Sequence, residues 1–182
     1  MRHQVTGATG CRVLAHFGLS AAKSSTLQTE NPMNSFFATD GGQWALFILR
    51  ITLGFVILPH GLQKLFGWFG GHGFKGTMGF MTGTMKLPWI AGFIVIIAES
   101  FGALGLILGF LTPLAAIGVG AVMIGAAWTA HRPNGFFMNW SGQQKGEGFE
   151  YHLLAIGMAL VLVIYGAGAF SVDSLVFSRI AG

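Results

Sequence analysis

Charge is scarce in this chain. Asp, Glu, Lys and Arg make up 9% of its 182 residues, where soluble domains carry about 25%. A soluble fold of this composition would expose large apolar patches, which lipid tolerates and water does not. Acidic residues are the scarcer of the two signs, six against ten basic ones, and the net charge is +4. The sequence pI of about 9.7 reflects that shortage and not a basic stripe. The basic residues are scattered, mostly near the ends of apolar runs, where they suit lipid headgroups and not a nucleic-acid backbone. Cysteine is also nearly absent. A single one, Cys11, excludes an intrachain disulfide, a CxxC redox centre, an iron–sulfur cluster held by four thiolates and a cysteine-rich zinc site. No metal site is expected. Electrons in any redox chemistry must travel on an organic cofactor or through a partner subunit.

What is abundant is apolar. Hydrophobic residues make up 53% of the chain and the mean hydropathy is +0.65. Four apolar segments stand out, at about Trp44–Phe66, Trp89–Gly109, Pro113–Thr129 and Tyr151–Phe170. Each is near the roughly 20 residues that cross hydrocarbon as a helix. The expected fold class is all-α, an integral membrane four-helix bundle with both termini on one side. The connections near 67–87 and 131–149 then share the other side. Lys64, Lys75, Lys86, Arg132 and Lys145 lie on that loop side, which favours a cytoplasmic placement for it. Residues 1–42 read as a polar tail, with Met33 as a candidate natural start; 43–175 form the transmembrane domain, and 176–182 a short C-terminal tail. Small residues recur in the last three spans, at Gly102, Gly105, Gly109, Gly118, Ala121, Gly125, Ala155, Ala159 and Gly166, and predict close helix packing.

Ionisable groups inside a span are expensive and turn toward a bundle interior or cavity. The first segment holds Arg50, His60, Gln63 and Lys64. On a helical wheel Arg50, His60 and Lys64 fall within about 80°, with Gln63 about 60° to the other side of His60. Pro59 should free a backbone carbonyl one turn back. Glu99 stands near the middle of the second segment and needs a partner. Its reckoned depth lies between Arg50 and His60, so pairing with one of these two is expected, Arg50 being the favoured charge partner. Antiparallel threading brings Trp128, Thr129 and His131 from the third segment, and Glu150, Tyr151 and His152 from the fourth, to the same mouth as His60, Gln63 and Lys64. Glu150 and His152 are about 200° apart on their helix, so His152, which shares a face with Ala155 and Ala159, is expected inside. The glycine- and aromatic-rich stretches 67–77 and 134–140 read as half-buried lids or interfacial anchors.

Six stretches then carry a resemblance. They are His60-Gly-Leu-Gln-Lys-Leu-Phe-Gly-Trp-Phe-Gly-Gly71 with Gly76-Thr77; Glu99 with Leu108-Gly109; Thr112-Pro-Leu-Ala-Ala116; His131-Arg-Pro-Asn-Gly-Phe-Phe137; Glu150-Tyr-His-Leu-Leu154; and Gly166-Ala-Gly-Ala-Phe-Ser-Val-Asp173. In this order the chain resembles the DoxX family of small bacterial inner-membrane proteins over about 44–175. It departs from the expected pattern before residue 33, and after Glu99, where Ser100 and Phe101 precede Gly102-Ala103 in place of the adjacent glycines expected there. The family is similar to the DoxD-type subunit of thiosulfate:quinone oxidoreductase. The resemblance implies a multi-pass protein of the bacterial inner membrane, linked to quinone or sulfur redox and working with a soluble redox enzyme.

On that reading His60, Glu99, His131 and Glu150 exchange protons, while Gln63, Lys64, Arg50, Asn134 and His152 hold a quinone. A b-type haem between His60 and His131 or His152 is the weaker reading, because histidines at helix ends more often sit at the interface. Two alternatives stand beside the oxidoreductase subunit: a transporter for a small solute or lipid, which would need a homo-oligomer, and a non-enzymatic scaffold that recruits a soluble enzyme.

Overall fold

The computed structural model describes residues 39–180, and among these all regular structure is helical. The reading of the tail before residue 33, including Cys11 and the Met33 start, lies outside the described residues.

Helix α1 runs Asp40–Phe66. Thr39 caps its start, its hydroxyl accepting from the Gly42 N–H at 3.3 Å, and Asp40 sits at the positive end of the helix dipole. Gly67, at φ 78°, ends it in the left-handed conformation that glycine adopts without strain. Pro59 lies inside α1 without ending it. Between α1 and the next long helix the chain is not the open loop its glycines suggest. A single turn, Trp68–Gly70, leads into a short helix α2, Gly73–Gly79, prolonged by a wide π turn, Phe80–Thr84. Met78 and Met81 bury their thioethers over Gly92, where an added Cβ would meet the two sulfurs at 3.2 and 3.3 Å.

Helix α3 spans Trp89–Leu108 and α4 spans Thr112–Asn134. Each contains a π turn, Ala98–Gly102 in α3 and Ala127–His131 in α4. Together with α1 they make three helices long and apolar enough to cross a membrane. Helix α5, Glu150–Tyr165, is apolar but has only 16 residues, about 24 Å. The expected fourth segment reached Phe170. The helix instead stops at Gly166, φ 74°, and residues 166–171 continue as an irregular strap into α6, Val172–Ile180.

Neighbouring long helices run antiparallel. Gly54 of α1 faces the Ala103 carbonyl of α3, where a Cβ would lie at 2.7 Å. Gly61 of α1 lies against the Glu99 carbonyl. Gly118 of α4 faces Ala98, and Gly120 faces Ala159 of α5. Leu46, Leu53, Ile57, Leu106, Val119 and Leu162 form the centre of the buried core. The small residues Ala155 and Ala159 are buried, as their shared face predicts, whereas a Cβ at Gly125 would meet open space. The glycines that bring α1 against α3, Gly54 and Gly61, are on the one span whose glycines the sequence pattern did not single out. The outer surface is rich in exposed Phe, Leu, Ile and Trp, which fits a lipid surround.

Candidate functional site

The contact of Gly61 with the Glu99 carbonyl sets the level of the carboxylate. Glu99 stands beside Gly61, one turn from Lys64, and Lys64 Nζ donates a hydrogen bond to its Oε2. Glu99 is buried, and the Lys64 side chain is 25% exposed. The expected partner, Arg50, is not involved. Its guanidinium is fully buried some 14 residues back along α1, roughly 21 Å away at 1.5 Å per residue. It donates to Leu106 O at 3.0 Å and Ile107 O at 3.1 Å, and also to Phe170 O. The first two belong to the last turn of α3, whose carbonyls have no partner within the helix and form the negative end of its dipole. Gly109 lies so close that a Cβ there would be 2.5 Å from Arg50 Nη1. Counting depth from the segment ends places Glu99 too near Arg50. The glycine contacts slide the two helices to another register.

Around the Lys64–Glu99 pair the ends of α1 and α4 meet the starts of α3 and α5. Glu99 is within electrostatic reach of His60 and Tyr151, and His152 within reach of His60 and His131. The His131 and His152 rings stand 4.2 Å apart. His152 is buried, as its face predicts, and Tyr151 is half-buried against the core. His60 is exposed on the helix surface, so Arg50, Lys64 and His60 do not act as one inward face.

Other expected site residues hold the connections instead. Gln63 Nε2 donates to Phe69 O at 3.3 Å and fastens the turn after α1. His131 Nδ1 lies 2.9 Å from the Glu147 carbonyl. A carbonyl only accepts, so Nδ1 carries the proton and Nε2 is the basic nitrogen. Asn134 Nδ2 donates to the same carbonyl at 3.0 Å. Glu150 Oε1 accepts from Met138 N at 2.9 Å and from Trp140 Nε1 at 3.2 Å. The segment 134–149 is therefore folded back and pinned, and Glu150 is spent on pinning it.

Two residues of the site were not among the expected candidates. Ser100, the neighbour of Glu99, is 4% exposed and its Oγ has no hydrogen-bond partner. The Tyr151 hydroxyl is likewise buried and unpartnered, as is His152 Nδ1. For Ser100 the available signal was a hydroxyl beside a mid-span carboxylate. For Tyr151 it was an amphipathic ring beside an inward histidine.

Among the described residues no group of three or more His, Cys, Asp or Glu is arranged to hold a metal. No curated protein and no solved structure matches the chain. A family model described as DoxX matches residues 45–132, from the start of α1 nearly to the end of α4. With its membrane-length apolar helices, the chain is a membrane protein whose residues 45–132 form a DoxX-family region.

Proposed function

We propose that the chain is a multi-pass subunit of a membrane oxidoreductase system in the bacterial inner membrane, acting on a quinone at the loop end of its helices. The observation that carries this reading is the buried Lys64–Glu99 pair with three histidines and a tyrosine around it. Such a concentration of ionisable groups is costly in an apolar protein and marks a site where protons or polar headgroups are handled. Histidine suits proton exchange because its charge changes near neutral pH. His60 and His131 are the proton-exchanging groups closest to the surface. Lys64 and His152 are the ligand-holding candidates. Arg50, Gln63, Asn134 and Glu150 have structural partners and serve the frame. A soluble redox partner on the loop side supplies the electrons.

The same reading has α1, α3, α4 and α5 crossing the bilayer as a bundle, with both termini on one side. Helix α5 is short, and the strap 166–171 completes its crossing. Irregular backbone is tolerated at that depth only where protein satisfies it. Arg50 reaches Phe170 O, and Gln43 Oε1 accepts from Ala169 N at 2.5 Å. These contacts fill the terminal end of the helices, which disfavours a through-going conduit.

The reading is tested by extracting quinone from detergent-purified protein, wild type beside His60→Ala. Co-purifying quinone that falls in the variant supports it. A folded wild type that neither retains nor binds any quinone moves the role to a scaffold for a soluble enzyme.

A further inference from the structure

Buried polar atoms are nearly always hydrogen-bonded, and each exception calls for a cause. Among the described residues five buried side-chain atoms have no partner: Arg50 Nε, Thr112 Oγ1, Ser100 Oγ, Tyr151 OH and His152 Nδ1. The first two lie at the terminal end, where the strap closes over α1 and the α3–α4 turn. The other three are at the loop end, beside the Lys64–Glu99 pair. Ser100 adjoins Glu99 in the π turn of α3, a local geometry that recurs at functional sites. Tyr151 and His152 are consecutive at the start of α5, their rings 5.4 Å apart. Two hydroxyls and an imidazole nitrogen, all hidden from solvent, can each give or take a hydrogen bond.

The charge balance narrows what they can take. Lys64 is neutralised by Glu99. The Arg132 guanidinium is engaged over the Trp128 ring at 4.4 Å. Among the described residues the permanent charges of the cluster, Lys64 and Glu99, cancel each other, so neither is left to offset the desolvation of a charged ligand.

We propose that Ser100, Tyr151 and His152 are the hydrogen-bonding partners of an uncharged headgroup bearing carbonyl or hydroxyl oxygens, and that the site rejects sulfur oxyanions. This rests on the quinone reading and specifies which side chains meet the ligand. A sulfur compound, if one is oxidised, is then handled by the soluble partner and never enters the helices. The three residues bind and orient the headgroup, and the two protons its reduction consumes pass from His131 to the adjacent His152 and on to the headgroup oxygens, while the soluble partner supplies the two electrons.

The test uses the conservative variants Ser100→Ala and Tyr151→Phe, which remove one oxygen each. Thr112→Val, which removes an unpartnered hydroxyl at the far end, is the control. Each purified protein is titrated with a short-tailed benzoquinone, then with thiosulfate, following Trp fluorescence and the ligand-induced rise in melting temperature. Ligand-free Ser100→Ala and Tyr151→Phe are expected to be as stable as wild type or more so, because an unsatisfied buried group is removed. Their quinone affinity should fall about five- to tenfold each, with Thr112→Val unchanged and thiosulfate inert throughout. Wild-type binding of quinone with both variants unaffected overturns the inference and leaves the quinone reading standing, and so does thiosulfate competing for the site. A wild type that binds no quinone overturns both.

Discussion

Arg50 shows how one buried side chain can serve backbone and not chemistry. A guanidinium has five donors in a fixed fork, and here three of its hydrogen bonds go to carbonyls of α3 and of the strap. Arg50→Met fills the space but takes the guanidinium donor from all three carbonyls, of which Leu106 O keeps the Gly109 N–H at 3.3 Å. We expect a loss of at least about 2 kcal/mol, measured as a lower midpoint in detergent unfolding, with quinone affinity per folded molecule unchanged. If Arg50→Met is as stable as wild type, the guanidinium is not what fastens the strap. Lys64 and Glu99 behave differently, because each is the other's partner. Glu99→Gln leaves a mostly buried ammonium unpaired and should cost about 3 kcal/mol. The double variant Lys64→Met with Glu99→Gln should recover most of that loss. A double-mutant cycle with no coupling between the two would show that the pair contributes nothing to folding.

Helices α1 and α3 meet backbone to backbone, and two glycines seven residues apart allow it. At Gly61 a Cβ would collide with the Glu99 carbonyl, which cannot yield as a flexible side chain would. Gly61→Ala should therefore push the helices apart, separate Lys64 from Glu99 and lower the melting temperature sharply. Gly79→Ala, in α2 with open space around it, should be neutral or stabilising by about 0.5–1 kcal/mol. Equal behaviour of the two variants would mean that the close approach does not hold in the membrane. This register also explains what could be read in advance. Long apolar runs placed α3 to within a residue, and α1 and α4 to within about five residues at one end, because hydropathy is a local property. The inward face of His152 was legible from Ala155 and Ala159 on the same side. The partner of Glu99 was not, since a slide of one helix along another leaves no trace in either segment's own pattern. Glu150 misled for a related reason. Its carboxylate is claimed by Met138 and Trp140 of a segment that folds back on it, a long-range event that composition does not encode. The helix α2 was hidden because its glycines read as turn signals, while Thr77, Met78 and Met81 are buried and anchor it.

At the scale of the whole molecule the two ends differ. The terminal end is tied shut. Asp173 accepts from Leu111 N at 2.7 Å and Thr112 N at 2.9 Å, capping α4 from a distant part of the chain. Asp173 N in turn donates to Gly109 O at 2.9 Å. The loop end instead gathers the ionisable groups beneath two aromatic connections. A closed terminal end disfavours a conduit and leaves the loop end as the place for a binding site. It also makes topology decisive, because the short α5 must still bring the chain across. In a Cys11→Ser background, Lys145→Cys reports the loop side and Arg179→Cys the end of α6, both at exposed positions. A membrane-impermeant thiol reagent should label Arg179→Cys on intact spheroplasts. It should reach Lys145→Cys only after the membrane is opened, as cytoplasmic loops require. The reverse pattern would keep the bundle and invert it, putting the soluble partner on the outer face. Labelling of both cysteines from the same side would mean that α5 and its strap do not cross. The ion pair would then sit at the edge of a three-helix membrane domain, and a ligand would reach it sideways from the lipid.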